Sequence, residues 1–578
     1  MKASVLTLVR LATTIGILSS FPAPSSGVEA SPALVERLAH STETLRMEDG
    51  LAFFSQLPEQ RVTSDTGINV LIDLAHSVSF QTMWRLPPDL RRHGLRAIGS
   101  EACLDTVLTP GAPCRARVPV GGRWPFAWVP APRFNVVYTR QGGFGAQPYL
   151  PGEIEALREF VQSGGGLVVV GGGKPDEESL KQWSLNALIT KFGASFGTTA
   201  GSGAKKKKEV CLAVGPEWEV LRKGTDGSPV CARRVFGKGR VVVSAVGLVS
   251  ISRKKSPEVP GEAPEEAAEE AAQSQREFID LVKWAAAGAP PVGGTLRLPQ
   301  EKGGGGPIYP ELETRFGDIT VFYANNQIPE LIKTIKDVLP RVRKQLFEWY
   351  PSKVIAGDPL YLILASGSGG GWAVNNHLPK EAGTISSNAN GVINVFGHEQ
   401  AHTMGGPPNA RGETAGSVPF GNASEAHAGF WQRKVNVLFL NKNTEPQPYD
   451  KLKSMDLAKG EGKAWGKLWW IWRKLDDRYG TTWYPRWKWV QHTRWQDDPK
   501  RSLTWDEIVE DMSIAVGEDL FPWFRKMGTT LNKDRFERAT FMGQTLELPV
   551  APLDLSPAGP FHTDPIGDYT KPLEPKRR

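Results

Sequence analysis

The sequence has no long apolar run, few cysteines and no strong charge bias, and each of these absences excludes a class of protein. No uninterrupted apolar stretch approaches the roughly 20 residues that span a bilayer, so a polytopic membrane protein is excluded. The formal net charge is +7 over 578 residues, without a stripe of Lys and Arg, which does not favour a nucleic-acid-binding protein. No period of roughly 20–50 residues repeats along the chain, so a solenoid is not indicated.

Cysteine is also scarce. The chain has only 4 cysteines, and no two of them have CxxC spacing. This argues against a cysteine-based zinc site and against a dithiol redox motif. Four cysteines allow three pairings. We favour the two local ones, Cys103–Cys114 and Cys211–Cys231, because each closes a short loop. The alternative is four unpaired buried thiols, which is typical of a cytoplasmic protein.

The first residues have the layout of an export signal. Lys2 and Arg10 flank the short apolar stretch 11–21, and small residues follow, with Val28 and Ala30 suited to a cleavage site. The apolar part is too short to span a bilayer. We therefore predict a signal peptide and a secreted or periplasmic protein. An ordinary buried N-terminal helix is the alternative.

The first half of the chain has the pattern of an α/β layer domain. Nearly continuous apolar runs predict strands that are buried on both faces of a sheet. These runs are residues 68–73, 134–138, 166–170 and 239–244. Between the second and third run, residues 151–161 start with a proline and repeat apolar residues along one face, which predicts a helix. A strand, a helix and a strand in this order imply a parallel sheet covered by helices.

This half resembles the class I glutamine amidotransferase-like domains that precede some secreted metallopeptidases. The stretches that carry the resemblance are residues 71–76, 153–161 and 164–170. An active amidotransferase needs a nucleophilic cysteine after a strand, but glycines 171–173 follow the strand here. We therefore expect a non-catalytic accessory domain, with His76 as a structural histidine.

The second half contains a zinc-binding pattern, in which His398 and His402 flank Glu399, Gln400 and Ala401. Two histidines with this spacing lie one turn apart on one face of a helix, so both imidazoles can reach one metal ion. Glu399 follows the first histidine, where it can take a proton from a water molecule beside the metal. The alternative is a helix with two incidental histidines.

The third metal ligand decides the class of zinc site. Position 408, six residues after His402, is proline rather than the histidine of a metzincin. A glutamate from a following helix is the other solution, and Glu413 and Glu425 are within reach. Glu413 lies in a loop rich in Gly, Pro and Ala, whereas Glu425 begins a helix predicted over residues 424–431. We select Glu425 because a ligand on a helix is better positioned than one on a loop.

The pattern resembles the enhancin-type, mucin-degrading metallopeptidases (peptidase family M-sixty), whose signature is HExxH followed by a glutamate. Further stretches resemble the substrate-side, helix-ending and C-terminal segments of that family, and they are residues 366–372, 478–483 and 513–528. Ala401 stands where the family usually has glycine, and residues 426–429 replace its usual Val-Thr-Asn-Asn run. The predicted metal ligands and the general base are retained despite these differences, which affect the details of the substrate subsites instead.

The resemblance implies a mixed α+β, gluzincin-type metallopeptidase domain with a helical C-terminal part. It implies Zn2+ held by His398, His402 and Glu425, with Glu399 as the general base. A further donor should stabilise the oxyanion of the reaction. The candidates, which the sequence does not rank, are His427, Tyr479, Tyr484 and His492.

The sequence therefore predicts an α/β protein in several segments. They are a signal peptide (1–30), a helical lead-in (31–61), the accessory α/β domain (62–290), a linker (291–306), the zinc metallopeptidase domain (307–545) and a Pro-rich tail (546–578). The expected function is that of a secreted zinc endopeptidase acting on extracellular, glycosylated (mucin-like) proteins, without a nucleic-acid partner or a transmembrane segment. A catalytically silent binding module and a non-proteolytic zinc amide or cell-wall hydrolase stay open as alternatives, and the oligomeric state is unassigned.

Overall fold

The computed structural model describes most of the chain between residues 29 and 571. The described residues are 29–39, 41–76, 80–121, 123–140, 148–171, 180, 183–199, 209–247, 265–288, 296–297, 308–327, 329–349, 360–365, 371–374, 383–388, 391–403, 423–442, 456–457, 464–498, 503–552, 555–556 and 558–571. Most of the predicted signal peptide, most of the predicted linker and Glu413 lie outside them.

The strands of the described part form two larger sheets and three two-stranded ones. The strands before the predicted linker are β1 (Ile68–Asp73), β2 (Leu95–Ser100), β3 (Pro113–Arg117), β4 (Phe126–Pro130), β5 (Val136–Arg140), β6 (Gly166–Val170), β7 (Ala194–Thr198), β8 (Val210–Val214), β9 (Glu219–Lys223), β10 (Pro229–Phe236) and β11 (Gly239–Ser244). Those after it are β12 (Leu312–Phe316), β13 (Ile319–Tyr323), β14 (Leu360–Ala365), β15 (Gly371–Val374), β16 (Gly383–Asn388), β17 (Ala539–Phe541) and β18 (Gln544–Leu546).

The described helices of the second half are on average longer than those of the first half. Those of the first half are α1 (Pro32–Ala39), α2 (Met47–Phe54), α3 (Phe80–Arg92), α4 (Leu104–Val107), α5 (Pro151–Gln162), α6 (Ser184–Ile189) and α7 (Glu265–Ala286). Those of the second half are α8 (Pro329–Trp349), α9 (Val392–Thr403), α10 (Ala423–Leu440), α11 (Ala464–Tyr479), α12 (Trp483–Trp495), α13 (Trp505–Val516) and α14 (Phe521–Lys526). Among the described helices, none combines the length and the apolar character that crossing a membrane requires.

The first sheet has the order β2-β1-β5-β6-β11-β10-β9. Its first five strands are parallel, and β10 and β9 extend it in antiparallel fashion. Every residue of β6 is buried, with Leu167 and Val169 in the cluster that contains α5, and Val168 and Val170 in the cluster beneath α7. The predicted parallel α/β layer is confirmed, because strands of this kind need helices on both faces.

The second sheet has the order β12-β13-β14-β16-β15. β13, β14 and β16 are parallel, whereas β12 and β15 are antiparallel strands at its two ends. α8 and α9 bury apolar residues in the same cluster as β13 and β14. The helix that carries the HExxH pattern, α9, therefore packs against this sheet, and it contacts β15 and β16 directly.

The helices that follow the second sheet share its core, which confirms the predicted helical C-terminal part. Tryptophans fill much of this core, and several are at most 1% exposed, namely Trp431, Trp470, Trp472, Trp483 and Trp487. Their rings meet mostly edge to face, for example Trp472 against Tyr484 with ring centroids 5.4 Å apart. Large aromatic residues in such packing contribute strongly to burial, so these tryptophans stabilise the helical part.

An aromatic cluster joins the two halves of the chain. Phe126 of β4 packs edge-on against Tyr309 and Phe322, with ring centroids 4.8 and 4.7 Å away. Beside it, Arg115 of β3 is fully buried, donates a hydrogen bond of 2.8 Å to Glu313 and lies 4.0 Å above the ring of Phe322. Because a buried charge needs its partners, this contact fixes the first half against the second.

Candidate metal centre

α9, which carries the HExxH pattern, packs against α10 on one side and against α8 on another. Gly397 faces α10, where a β-carbon would lie only 3.2 Å from the side chain of Val435. Glycine therefore permits a close approach of the two helices at the residue just before His398. On another side, Arg343 of α8 donates a hydrogen bond of 3.0 Å to Gln400, a side chain with no exposed surface. Both contacts limit the rotation of α9 about its axis.

α9 and α10 are antiparallel, and three hydrogen bonds define their register. They join Asn394 to Asn436 at 2.6 Å, His398 to Gln432 at 3.2 Å and the Ala401 carbonyl to His427 at 2.8 Å. Continued to the start of α10, this register brings Glu425 within about one helical turn of His402 along the pair. Glu425 also shares a helix face with Gln432, since the two are seven residues apart. The register therefore places the backbone positions of the predicted ligands on neighbouring turns of two packed helices, while the side chains of His402 and Glu425 lie outside the described part of the chain.

His398 and Glu399 differ in their exposure to solvent. His398 is half-buried, and its Nδ1 lies 3.2 Å from the side-chain oxygen of Gln432. In a neutral ring, this orientation of the Gln432 amide places the proton on Nδ1 and the lone pair on Nε2, the atom that a metal ion would use. Glu399 is 5% exposed. The pattern thus combines an accessible imidazole with a largely buried carboxylate.

His427 and Tyr484, two candidates for the oxyanion donor, form one unit with the end of α9. His427 Nε2 donates to the carbonyl of Ala401 at 2.8 Å, and the Tyr484 hydroxyl donates to His427 Nδ1 at 2.5 Å. The last carbonyls of a helix have no intrahelical N–H group to accept from. Ala401 is in the last turn of α9, so His427 caps the helix that carries both predicted histidine ligands.

The other two oxyanion candidates lie elsewhere in the helical part. The Tyr479 hydroxyl donates to Glu518, which also pairs with Arg478 at 2.7 Å. His492 is half-buried on α12, and burial lowers the pKa of its imidazole. In the described part of the chain, neither residue forms a hydrogen bond with α9.

Gln432 and Arg343 are contacts of the HExxH helix that the sequence analysis did not identify. Gln432 lies on the face of α10 that also carries Glu425, two turns further on. Extending the predicted helix beyond residue 431 would have found it, because α10 continues to Leu440. No local signal marks Arg343, since it precedes Gln400 by 57 residues and meets it only in the folded chain.

A second group of potential metal ligands lies in the first half. The ligand atoms of Cys103, Asp105 and Glu153 are within 4.8 Å of one another. Burial raises the pKa of the Cys103 thiol far above its usual range, and Glu153 and Glu311 add to this effect. Without a metal ion the thiol therefore favours its protonated form, and a metal ion bound by these three side chains would have to displace that proton.

His76 is fully buried between two carboxylates of the same region. Its Nδ1 is 2.8 Å from Asp73 and its Nε2 is 3.0 Å from Glu153, while its ring stacks on Tyr149. Burial alone would lower the pKa of His76, but Asp73 and Glu153 outweigh it and raise the pKa to about 10. Asn326 of the second half covers the histidine at 3.2 Å. A closed, hydrogen-bonded arrangement of this kind supports the interpretation of His76 as a structural residue.

The structure corrects the predicted disulfides, because Cys103, Cys114, Cys211 and Cys231 are all free thiols. Cys231 packs in the cluster beneath α7, and that cluster contains no residue of the β7–β8 hairpin that holds Cys211. Cys103 precedes α4 beside Glu153 and Glu311, and Cys114 lies on β3, where Glu311 also contributes to raising the pKa of its thiol. Short spacing in the sequence did not indicate which way these side chains point.

Comparisons with known proteins assign no family. No family model matches the chain, and no curated protein matches it. Among solved structures, the mmIFT52 N-terminal domain is 13% identical and covers 30% of this chain and 85% of its own, with a TM-score of 0.20. The cytoplasmic protein STM1381 from Salmonella typhimurium LT2 is 12% identical, covering 38% and 100%, with a TM-score of 0.23. The exo-beta-1,4-mannosidase Op5Man5 from Opitutaceae bacterium strain TAV5 is 14% identical, covering 41% and 36%, with a TM-score of 0.20. Likenesses this weak carry no argument.

Proposed function

We propose that this protein is a secreted, zinc-dependent endopeptidase of the enhancin type that cleaves extracellular, glycosylated (mucin-like) proteins. The observation that carries the proposal is the antiparallel pairing of α9 with α10, in which His398 contacts Gln432. This pairing supports the choice of Glu425 as third ligand, because Glu425 shares its helix face with Gln432.

The residues present fit a zinc ion. His398, His402 and Glu425 would hold it, and two imidazoles with one carboxylate form a donor set that zinc hydrolases use. The contact of His398 with Gln432 fits the same purpose, since ligating histidines usually donate their other ring N–H to an oxygen. A zinc ion at this site would supply Lewis-acid chemistry, by lowering the pKa of a water molecule and polarising the scissile carbonyl.

Glu399 is the proton carrier of the proposed reaction. Its carboxylate takes the proton of the attacking water and later delivers it to the nitrogen of the leaving amine. Glu399 follows His398 directly in α9, so the carboxylate is tied to the backbone that also carries the ligands. The hydrogen bond from Arg343 to Gln400 supports this role, because it holds the next residue of the helix in place.

β15 offers a binding edge for an extended peptide. Among the described strands it stands at one end of the second sheet, it is antiparallel to β16, and it contacts α9. The outer edge of an end strand carries backbone N–H and C=O groups that can pair with an additional strand. A peptide bound in this way would run past the HExxH helix, which favours an endopeptidase over a hydrolase of small amides.

The first half of the chain serves as a fixed accessory domain in this proposal. The carboxyl end of β1 is occupied by the hydrogen bonds of Asp73 and His76, and Asn326 of the second half covers them. In parallel sheets, ligands usually bind at this end of the strands. Because hydrogen-bonded side chains already fill this end of β1, we assign the first half a structural role in the peptidase and not a ligand-binding one.

Digestion of a purified O-glycosylated mucin tests the proposed function. The protein should cleave the mucin, and a chelator should abolish cleavage until zinc is restored. The deglycosylated mucin and casein serve as comparison substrates. Rapid cleavage of casein without cleavage of either mucin form would contradict the substrate class, whereas activity that the chelator does not change would contradict the metal mechanism.

A further inference from the structure

The side-chain amide of Gln432 on α10 lies within hydrogen-bonding distance of His398, one of the expected metal ligands. Its side-chain oxygen lies 3.2 Å from Nδ1 of His398, and both side chains are half-buried. The preceding residue, Trp431, and Val435 on the next turn of the helix are fully buried. A polar amide at the interface of two packed helices costs stability unless it is hydrogen-bonded, so the contact with His398 accounts for its position.

The direction of this hydrogen bond determines the chemistry of His398. If the Gln432 oxygen faces Nδ1, the ring proton is on Nδ1 and Nε2 keeps its lone pair. If the amide were rotated, its NH2 group would donate to Nδ1 and move the ring proton to Nε2, which could then not bind a metal ion. Only the first arrangement is compatible with His398 as a ligand through Nε2.

The helix that carries Gln432 is fixed independently of this contact. Two residues further on, Lys434 forms a fully buried ion pair with Asp476 of α11 at 2.6 Å. One turn further on, Asn436 donates to Asn394 of α9 at 2.6 Å. Since α10 is held at these points, the Gln432 oxygen is presented at a defined position and does not have to be ordered by the metal.

We propose that Gln432 is a positioning residue, which fixes the ring orientation and the tautomer of His398 so that Nε2 is available to a metal ion. This inference rests on the proposed function, since it assigns a role within the same site. The Gln432 side chain acts through His398, and it is neither a metal ligand nor a proton carrier of the reaction. Substitution of Gln432 is therefore expected to change mainly the affinity of the site for the metal ion.

Two substitutions of Gln432 separate hydrogen bonding from packing. Gln432→Leu keeps the approximate volume and removes the acceptor, and zinc should bind about 10–100-fold more weakly, the usual cost of losing such an outer contact. Gln432→Glu keeps an acceptor and has no donor when ionised. Zinc affinity of this variant should be equal to or tighter than that of the unmutated protein. The zinc dissociation constant, measured by competition with a chromophoric chelator, gives the comparison.

Asn436→Leu is the matched control. It also removes a hydrogen bond between α9 and α10, but Asn436 donates that bond to Asn394, which lies one turn before the HExxH pattern. Its unfolding temperature should fall as that of Gln432→Leu does, while its zinc affinity stays unchanged. The unfolding temperatures of all variants are measured in chelator, so that stability is compared without metal.

The outcomes distinguish this inference from the proposed function. If the unmutated protein binds no zinc, the proposed function fails and the role of Gln432 fails with it. If the unmutated protein binds zinc and Gln432→Leu binds it equally well, only the role of Gln432 is overturned. Equal weakening by Leu and Glu would also overturn it, because an acceptor would then not be the feature that matters.

Discussion

Lys434 and Asp476 form an ion pair of 2.6 Å in which neither side chain has any solvent exposure. The pair joins α10 to α11, and Lys434 also donates to Thr481 at 3.1 Å. Burial lowers the pKa of Lys434, and the charge of Asp476 opposes that effect. The helix that carries Glu425 and Gln432 is therefore attached to the C-terminal core by charges that water does not screen.

Removing one partner of this pair should be far more damaging than removing both. Asp476→Leu leaves the ammonium group of Lys434 buried without its counter-charge, which should lower the free energy of unfolding by about 3–5 kcal/mol. The double variant Lys434→Met with Asp476→Leu should recover most of this loss, because no charge is then buried. Urea unfolding of the chelator-treated protein measures both. A double variant less stable than the single one would contradict this account.

The cap that His427 provides at the end of α9 should depend on Tyr484. Tyr484→Phe removes the hydroxyl that donates to His427 Nδ1, and it should cost about 0.5–1.5 kcal/mol, the range for one hydrogen bond. His427→Leu leaves the Ala401 carbonyl without this donor and should cost more, about 1–3 kcal/mol. Because the two side chains act as one unit, the double variant should lose less than the added single losses. Full additivity in urea unfolding would disprove the coupling.

His76 should give the protein a stability that decreases toward alkaline pH. Its pKa is raised from 6.5 to about 10 in the folded chain, so the folded state holds a proton that the unfolded chain releases. The contribution is fully present below about pH 6.5 and is lost as the pH rises through about 10. We expect it to amount to a few kcal/mol at neutral pH.

His76→Gln removes this titration and serves as the comparison. The unfolding free energies of the two proteins should differ most near pH 6 and converge as the pH approaches 10. Titrating groups distant from His76 affect both proteins alike, so the difference reports the titration of His76 together with its partners Asp73 and Glu153. A difference that is constant from pH 6 to 10 would mean that His76 is neutral in the folded protein.

Phe126 should couple the unfolding of the two halves. Its side chain is fully buried and packs against Tyr309 and Phe322, which belong to the second half. Phe126→Ala should destabilise the protein by about 3–5 kcal/mol, the usual loss for a buried phenylalanine. Calorimetry should give one transition for the unmutated protein and a lower transition, or two separate ones, for the variant. An unchanged thermogram would show that the interface does not contribute.

The sequence predicted the central elements of the first sheet because their signal is local. Residues 166–170 form β6, with the bounds expected from the apolar run, and residues 239–244 form β11. Strands that are buried on both faces must be apolar at every position, so they can be recognised without knowledge of their neighbours. The helix at 151–161 was equally clear, from a proline at its start and one apolar face.

Features that depend on distant partners could not be predicted in this way. The cysteine pairs were assigned from loop length, but the structure leaves Cys231 and Cys211 in different packing environments. The ion pair of Lys434 with Asp476 joins residues 42 positions apart, and nothing in either local segment indicates it. Likewise, the support of Glu425 as third ligand comes from the register of α9 and α10, which only the folded chain defines.

The metal content of three variants after dialysis, determined by plasma mass spectrometry, separates the metal ligands from the general base. Glu399→Gln should keep zinc, because Glu399 is the base and not a ligand, and turnover should fall by about two to four orders of magnitude. Glu425→Ala should lose zinc together with activity, since two imidazoles alone make a poor site. Glu413→Ala should keep both.

Loss of zinc from the Glu413 variant together with its retention by the Glu425 variant would contradict the assigned third ligand and leave the zinc hydrolase intact. The result that would contradict the whole account is an unmutated protein that purifies without a transition metal and cannot be loaded with one. The expected result is about one zinc ion per chain, the stoichiometry of a single catalytic site with three protein ligands.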